Sequence, residues 1–276
     1  MTQPQTQSSK KTSKSSSQDK ASSSSSKTAA SVLPVGRFCW LALRTPDLDK
    51  AKAFYGDVVG WQLSVQDMGG APYSTFSGSG APVCHAEPTK GPASFLSYVV
   101  VDDVQAAARR VKAAGGRPIG EAHAIPGVGS MLEVQDGDGA AFSLFQPDSV
   151  EAAEVSRAPG GLLWNELWAT DVPNALAFLT AVSGYVVAAM PMGGEPYHLL
   201  KHGEEMQAGV IGSPDPSSPS AWVPYFHVVD VDAARGRALA AGATALGEIV
   251  DVPTVGRMAV LLDPQGARFA IMTPPR

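Results

Sequence analysis

A chain of 276 residues with 44% hydrophobic and 17% charged side chains is long enough for one large or two small domains with buried cores. The formal net charge is −5, but the first 31 residues contribute +4 from five Lys and one Asp, which leaves −9 for the rest. An acidic body argues against nucleic acid or an anionic membrane surface as the main partner, since both select clustered Lys and Arg, and it favours a small-molecule ligand.

The sequence also favours a cytoplasmic protein. It has no secretory leader pattern and no apolar run of about 18 residues. Its two cysteines, Cys39 and Cys84, are too few for a disulfide framework in a chain of this size. We therefore expect a reducing compartment.

Residues 1–31 form the first segment in chain order. They contain twelve Ser and five Lys and almost nothing apolar, so they cannot bury enough surface to offset the entropy of ordering. We predict a disordered tail that serves as a flexible arm, with a phosphorylation or docking arm as the alternative.

The remainder of the chain is a tandem duplication. A shift of 124 residues aligns 36–73 with 160–197 at 14 identities in 38 positions, and a shift of 127 aligns 98–147 with 225–274 at 21 identities in 50. The sequence therefore predicts two modules, 36–147 and 160–275, joined by a linker at 148–159.

The two modules repeat one order of predicted elements. Each opens with a strand, 38–45 or 162–169, then an Asp at a helix N-cap and a helix whose apolar positions recur every three to four residues. Short strands follow, then a strand that leads into an Ala-rich helix, 104–114 or 231–241, and a closing hairpin whose turn contains Gly and Asp. Each module is thus two strand–helix–strand–strand(–strand) units.

Three segments resemble the vicinal oxygen chelate superfamily of glyoxalase, bleomycin-resistance and extradiol dioxygenase relatives. They are Leu43–Trp61, Val101–Ala107 and Asp263–Phe269. The tandem form, with Trp40 or Trp164 on the first strand and a Met-Gly-Gly-Xaa-Pro-Tyr block, is similar to the actinobacterial 27 kDa antigen group. The resemblance implies an α+β fold of two modules, each built of paired βαβββ units with a cupped mixed sheet. It leaves function open, because this fold hosts lyases, dioxygenases, epimerases and drug binders.

The superfamily's metal chemistry requires His and Glu ligands on the inner face of the cup. The corresponding positions in the two modules hold Trp40 and Trp164, Leu96 and Val223, Ser143 and Ala270, and His85 and Gly209. The first six of these positions, Trp40 through Ala270, hold no plausible metal ligand. We therefore predict no bound metal and no other cofactor, although a divalent metal held by atypical ligands such as His85, Glu166 and His227 stays open.

Strand alternation predicts which side chains face into the cups. The candidate ligand-binding residues are Trp40, Arg44, Tyr98, Trp164, Trp168, Tyr225 and Arg268. The candidate catalytic residues are Glu166 and His227, which belong only to the second module, because a carboxylate and an imidazole on one face can act as an acid–base pair. The alternative is that the rings pack as core and the polar groups have structural roles. We expect His85 at a solvated position, and we expect Cys39, which has outward parity on the first strand, to be a small buried hydrophobe.

Two interpretations of function follow. The first is a glyoxalase/bleomycin-resistance-like protein that binds a small molecule in an aromatic cup without metal. The second is an enzyme of the superfamily, a lyase such as lactoylglutathione lyase or a dioxygenase/hydroxylase, with atypical or absent metal ligands. A scaffold acting through the tail is a third class. We also expect the modules to pack their sheets edge to edge within one chain, giving a monomer or a weak dimer.

Overall fold

The computed structural model describes residues 35–67, 70, 72–149, 155–192, 194–215 and 217–275. The predicted tail at 1–31, part of the linker and part of each Met-Gly-Gly block lie outside the described residues. Within the described ranges the chain forms mixed β-sheets with four α-helices, which confirms the α+β class and the two tandem modules. None of these helices is long and apolar enough to cross a membrane.

The first module forms an eight-stranded sheet, sheet 1. Its elements are β1 (Phe38–Thr45), α1 (Leu48–Val59), β2 (Gln62–Asp67), β3 (Pro72–Gly78), β4 (Ala81–Pro88), β5 (Ser94–Val100), α2 (Val104–Ala113), β6 (Arg117–Ile125), β7 (Gly129–Gln135) and β8 (Ala141–Pro147). The strand order is β2-β3-β4-β1-β5-β8-β7-β6. The β1–β5 pair at the centre is antiparallel and joins the two halves of the module.

The second module repeats this arrangement in sheet 2. Its elements are β9 (Leu162–Ala169), α3 (Val172–Ser183), β10 (Val186–Met190), β11 (Tyr197–His202), β12 (Glu205–Gly212), β13 (Ala221–His227), α4 (Val231–Ala240), β14 (Thr244–Ala245), β15 (Val250–Val252), β16 (Gly256–Leu262) and β17 (Arg268–Thr273). The strand order is β10-β11-β12-β9-β13-β17-β16-β14, with β15 paired to β16.

The helix boundaries follow the predicted capping signals. The side chains of Asp47 and Asp171 accept hydrogen bonds from backbone N–H groups in the first turns of α1 and α3. Both helices end at a glycine in the left-handed region, Gly60 with φ 78° and Gly184 with φ 71°. These caps fix the residues at which α1 and α3 begin and end.

The modules pack against each other within one chain, as expected, but their sheets share no edge in the described residues, so the edge-to-edge expectation was wrong. They face each other with their convex sides, and the helices lie between them, α1 beside α4 and α2 beside α3. A buried hydrogen bond from Ser97 Oγ to Asn165 Oδ1, 3.0 Å long, joins β5 directly to β9. Because the convex sides are in contact, the concave sides of the two sheets open in opposite directions.

Each convex-side core contains residues from both modules. One core packs α1 and its strands, with Phe54 and Trp61, against α4 and β17 of the second module. The other packs α2 and β8, with Phe142, against α3 and its strands, with Phe178. Ala-rich helices such as α2 and α4 cover only part of a sheet, and the opposite module covers the rest. Neither module buries its own apolar surface alone.

Buried hydrogen bonds cross the same interface. Tyr55 on α1 donates to Asp263 Oδ2 over 2.8 Å, and Trp61 donates to the carbonyl of Gly160 over 2.6 Å. Gly160 must be small as well as flexible, because its φ is 84° and a Cβ there would lie 2.9 Å from the backbone of Gly78. These contacts hold the start of the second module against the first.

Candidate functional site

The concave face of sheet 1, called cup 1 here, has an aromatic lining. Tyr98 and Phe145 are buried there with aliphatic neighbours, and Trp40 packs against them while partly exposed. Cys39 is buried, as expected of a small hydrophobe, but it belongs to the same cluster, so the outward parity expected for it was wrong. A register irregularity between Phe38 and Trp40 on β1 breaks the simple alternation at this point.

His85 lies within cup 1, with 9% of its surface exposed, so the solvated position expected for it was wrong. It sits beside β1 because β4 pairs with β1 in parallel. The Trp40 indole donates to Nδ1 over 2.8 Å, and Nε2 lies 2.8 Å from Glu87 Oε1. An indole N–H can only donate, so Nδ1 must be the acceptor and Nε2 carries the proton that is donated to Glu87.

Arg44 continues this network with two carboxylates. It donates to Glu87 over 3.1 Å and makes a bidentate pair with Glu133 at 2.8 and 2.7 Å. The hydrogen bond from His85, together with the contact to Arg44, lowers the pKa of Glu87 to about 2. Cup 1 therefore combines aromatic rings with a half-buried network of charged groups.

The concave face of sheet 2, called cup 2 here, encloses a single carboxylate. Glu166 is 6% exposed, and its Oε1 accepts hydrogen bonds from the Trp168 indole and the Tyr225 hydroxyl, each 2.8 Å long. Burial and the negative charge of Glu166 raise the pKa of Tyr225. No cation within the described residues forms a salt bridge with this carboxylate.

Tyr197 lies at cup 2 on β11, the strand that pairs with β12. The Trp164 indole donates to its hydroxyl over 2.8 Å, and burial with the charge of Glu166 raises its pKa. The ring fits because position 209 is glycine, since a Cβ there would lie 1.8 Å from the Tyr197 hydroxyl. Gly209 corresponds to His85 in the repeat, so a tyrosine hydroxyl in cup 2 takes the acceptor role that an imidazole has in cup 1.

Arg268 lies over the ring of Trp168, with the guanidinium carbon 4.9 Å from the ring centroid. Burial lowers the pKa of Arg268, and its Nε is buried without a hydrogen-bond partner among the described residues. Arg268 corresponds to Ala141, and Trp168 corresponds to Arg44. Each cup thus has one arginine, supplied by a different strand.

Comparisons with known proteins agree with this geometry. Residues 37–144 match the model of the glyoxalase/bleomycin resistance protein/dioxygenase superfamily, and residues 165–272 match a glyoxalase-like domain. The chain belongs to this superfamily. It is 38% identical over 245 residues, 85% of this chain and 94% of the relative, to a Mycobacterium tuberculosis protein named "Putative glyoxylase CFP32". It is 32% identical over 257 residues, 86% of this chain and 93% of the relative, to the Streptomyces anthracycline biosynthesis protein DauV.

Solved structures of the superfamily share the fold. An Mn(II)-bound glyoxalase from Novosphingobium aromaticivorans superimposes with a TM-score of 0.61 at 19% identity, covering 87% of this chain and 82% of that one. BphC, a halotolerant catechol dioxygenase, gives a TM-score of 0.59 at 16% identity and covers 87% of each chain. At these identities the likeness establishes the fold alone.

The residues present do not fit the superfamily's divalent metal. In module 1 both nitrogens of His85 are engaged, one by Trp40 and one by Glu87. In module 2 the corresponding position, Gly209, has no side chain and its space holds Tyr197. No group of three or more His, Cys, Asp or Glu side chains in the described part of the chain is arranged to hold a metal ion.

The structure does not bring the two candidate catalytic residues together. Glu166 lies opposite Val223 on β13, and His227 lies four residues further along that strand, roughly 13 Å away at about 3.3 Å per residue. His227 Nδ1 contacts the carbonyl of Arg157 in the linker over 2.8 Å. The His227 imidazole therefore lies at the end of β13 and bonds to the backbone of the linker.

The other candidates fall into two groups. Trp40, Arg44 and Tyr98 lie in cup 1, whereas Trp164, Trp168, Tyr225 and Arg268 lie in cup 2. Sequence reasoning missed Glu87, Glu133 and Tyr197 as members of these networks. A signal for Tyr197 existed, because the repeat alignment sets His85 against Gly209 and so marks a vacated space.

Several of the rings on these faces are buried, among them Tyr98, Trp168 and Tyr225. A cavity of about 390 Å³ lies at the junction of the modules and reaches Trp164, but its lining does not include Glu166. Another, of about 550 Å³, lies between α1 and β2 on the outer surface.

Proposed function

We propose that the chain is a metal-independent binding protein for small, partly aromatic molecules, held against the rings of its cups. The observation that carries this proposal is that aromatic side chains stand at positions where the superfamily has metal ligands. Trp40 and Trp164 occupy the first of these positions, and their indoles donate hydrogen bonds to side chains within the cup. Faces of Trp and Tyr with a few convergent polar groups suit a small apolar ligand.

The ligand class we favour is a planar, hydroxylated polycyclic aromatic molecule. A relative named for anthracycline biosynthesis supports this class. Such a molecule can stack on Trp164 or Tyr225 and donate a hydroxyl hydrogen bond to Glu166.

Metal-stripped protein provides the test. We expect elemental analysis of the purified protein to show substoichiometric Ni, Zn, Mn and Fe. We also expect planar aromatic ligands to quench tryptophan emission with the same affinity before and after a chelator has removed metal from the protein. Trp168→Ala should weaken a cup 2 ligand by about 1 to 3 kcal/mol, the range for a buried aromatic contact at a binding hot spot. Stoichiometric metal that is required for binding would contradict the proposal.

An enzyme of the same superfamily is the second candidate, and one observation favours it. The His85 imidazole is oriented by Glu87 over 2.8 Å, an arrangement that can transfer a proton if Trp40 moves away from Nδ1. The name of the mycobacterial relative points the same way. The assay is turnover of the methylglyoxal–glutathione hemithioacetal and of catechols with oxygen, each with and without added Ni, Zn, Mn or Fe. Turnover that His85→Gln abolishes would favour the enzyme.

A further inference from the structure

The carboxylate of Glu166 is buried without a compensating positive charge. Only 6% of the residue is exposed, and the groups that hydrogen-bond to it, the Trp168 indole and the hydroxyls of Tyr225 and Tyr197, are all neutral. The bonds from Trp168 and Tyr225 both end on Oε1, and the Tyr197 hydroxyl is the third neutral group at the carboxylate. A buried negative charge that is solvated by neutral dipoles alone keeps part of its desolvation cost.

The aromatic faces around this carboxylate already accept a cation. The guanidinium of Arg268 lies over Trp168 at 4.9 Å from the ring centroid. It forms no salt bridge with Glu166, and its buried Nε has no hydrogen-bond partner within the described residues. An internal cation therefore occupies the ring without neutralising the carboxylate beside it.

A positively charged ligand would satisfy both features at once. Its charge would pair with the Glu166 carboxylate in place of the Tyr197 hydroxyl, and its apolar part would contact the faces of Trp164 and Trp168. It would take the place of Tyr197, which is only partly buried and whose hydroxyl contacts both the Trp164 indole and the Glu166 carboxylate. A neutral ligand would gain the ring contacts but would leave the buried charge uncompensated.

We infer that cup 2 selects molecules with a protonated amine attached to an aromatic body, with Glu166 as the residue that recognises the charge. This inference rests on the proposed binding function and names its ligand class. Cup 1 has no equivalent, because its carboxylates Glu87 and Glu133 are already paired with Arg44.

A matched pair of probes tests the inference on the full-length protein. The 2-phenylethylammonium ion and neutral 2-phenylethanol have nearly the same shape and differ in charge at pH 7. We expect the ammonium ion to bind roughly tenfold more tightly or better, measured by tryptophan emission and by the shift in thermal midpoint. Glu166→Gln should bring the two affinities to within about twofold. Glu204→Gln is the matched control, since it removes the same charge from a side chain that is 99% exposed, and it should keep the wild-type preference.

Two further measurements guard against a folding defect in the Glu166 variant. Glutamine can still accept both bonds at Oε1 while the uncompensated charge disappears, so the ligand-free variant should melt at or above the wild-type temperature. Arg268→Met removes the internal cation from Trp168 and should tighten binding of the ammonium probe several-fold without changing that of the alcohol.

The outcomes separate this inference from the proposed function. Equal affinities for the two probes in the wild type, or a preference that survives in Glu166→Gln, would overturn the charge selection and leave aromatic binding intact. A clear fall in the melting temperature of the ligand-free variant would show that the carboxylate is already compensated. If neither probe nor any planar aromatic ligand alters tryptophan emission, both proposals fail.

Discussion

Tyr55→Phe removes one hydroxyl from the interface between the modules and tests how that interface is stabilised. Tyr55 is fully buried, and its hydroxyl donates to Oδ2 of Asp263 over 2.8 Å. The other oxygen of Asp263 is held by the backbone N–H groups of Gln265 and Ala267, both at 2.8 Å. Phenylalanine fills the same space, so the substitution isolates the hydrogen bond and leaves Oδ2 without a donor among the described residues.

The expected loss follows from the charge and burial of the acceptor. A hydrogen bond to a charged group is worth about 1.5 to 3 kcal/mol net, and Asp263 is too buried, at 4% exposed, for water to replace the donor readily. For a chain of this size that corresponds to a fall of roughly 3 to 12 °C in the thermal midpoint. Urea and thermal denaturation followed by circular dichroism measure it.

Two features of the result would refute the reasoning. Because both convex-side cores contain residues of both modules, the variant should still unfold in one transition, and two separate transitions would show that the modules are independent. A loss below about 0.5 kcal/mol would show that the bond contributes little. Tyr73→Phe is the matched control, since Tyr73 is 37% exposed and should lose almost nothing.

Three other predictions concern the cups and the modules. The pKa of Glu87 is about 2 in the folded chain against an ordinary 4.5, so the ionised carboxylate stabilises the fold fully above pH 4.5 and loses this effect as the pH falls towards 2. The melting temperatures of the wild type and Glu87→Gln should therefore converge between pH 4.5 and 2. A difference that stays constant over this range would contradict the prediction. Gly209→Ala should expel Tyr197 and break its bond with Trp164, shifting tryptophan emission to the red, and Trp164→Phe should remove most of that shift. Residues 36–147 expressed alone should aggregate or fail to melt cooperatively, and a monomer that sediments and melts as a folded domain would contradict the shared cores.

The sequence was informative about features that depend only on residues close together in the chain. Alternation along a strand assigns Trp40 to one face of β1 and Leu41 to the other, and the structure has Trp40 on the concave side and Leu41 in a convex-side core. Capping by Asp47 and termination at Gly60 are equally local, because each depends on groups within one helical turn. These features are the ones the sequence predicted in detail.

Features that depend on pairing between distant strands were not predictable in this way. His85 meets Trp40 only because β4 runs parallel to β1 in one register, and a single sequence does not reveal that register. The packing of the modules was misjudged for a related reason. Phe95 on β5 and Phe226 on β13 belong to different modules, and they contact each other at 5.3 Å between ring centroids.

Because the convex faces are in contact, each central strand has two sets of positions that differ in how well they tolerate substitution. Side chains of one parity must suit the partner module as well as their own helix, so a substitution there disturbs both halves of the chain. Side chains of the other parity cluster mainly with residues of their own module. Ala42 and Glu166, which are equivalent in the repeat, show how far such positions have diverged without loss of the scaffold. A library of variants confined to the concave positions could therefore reshape either cup independently, and substitutions in the two cups should add rather than interact.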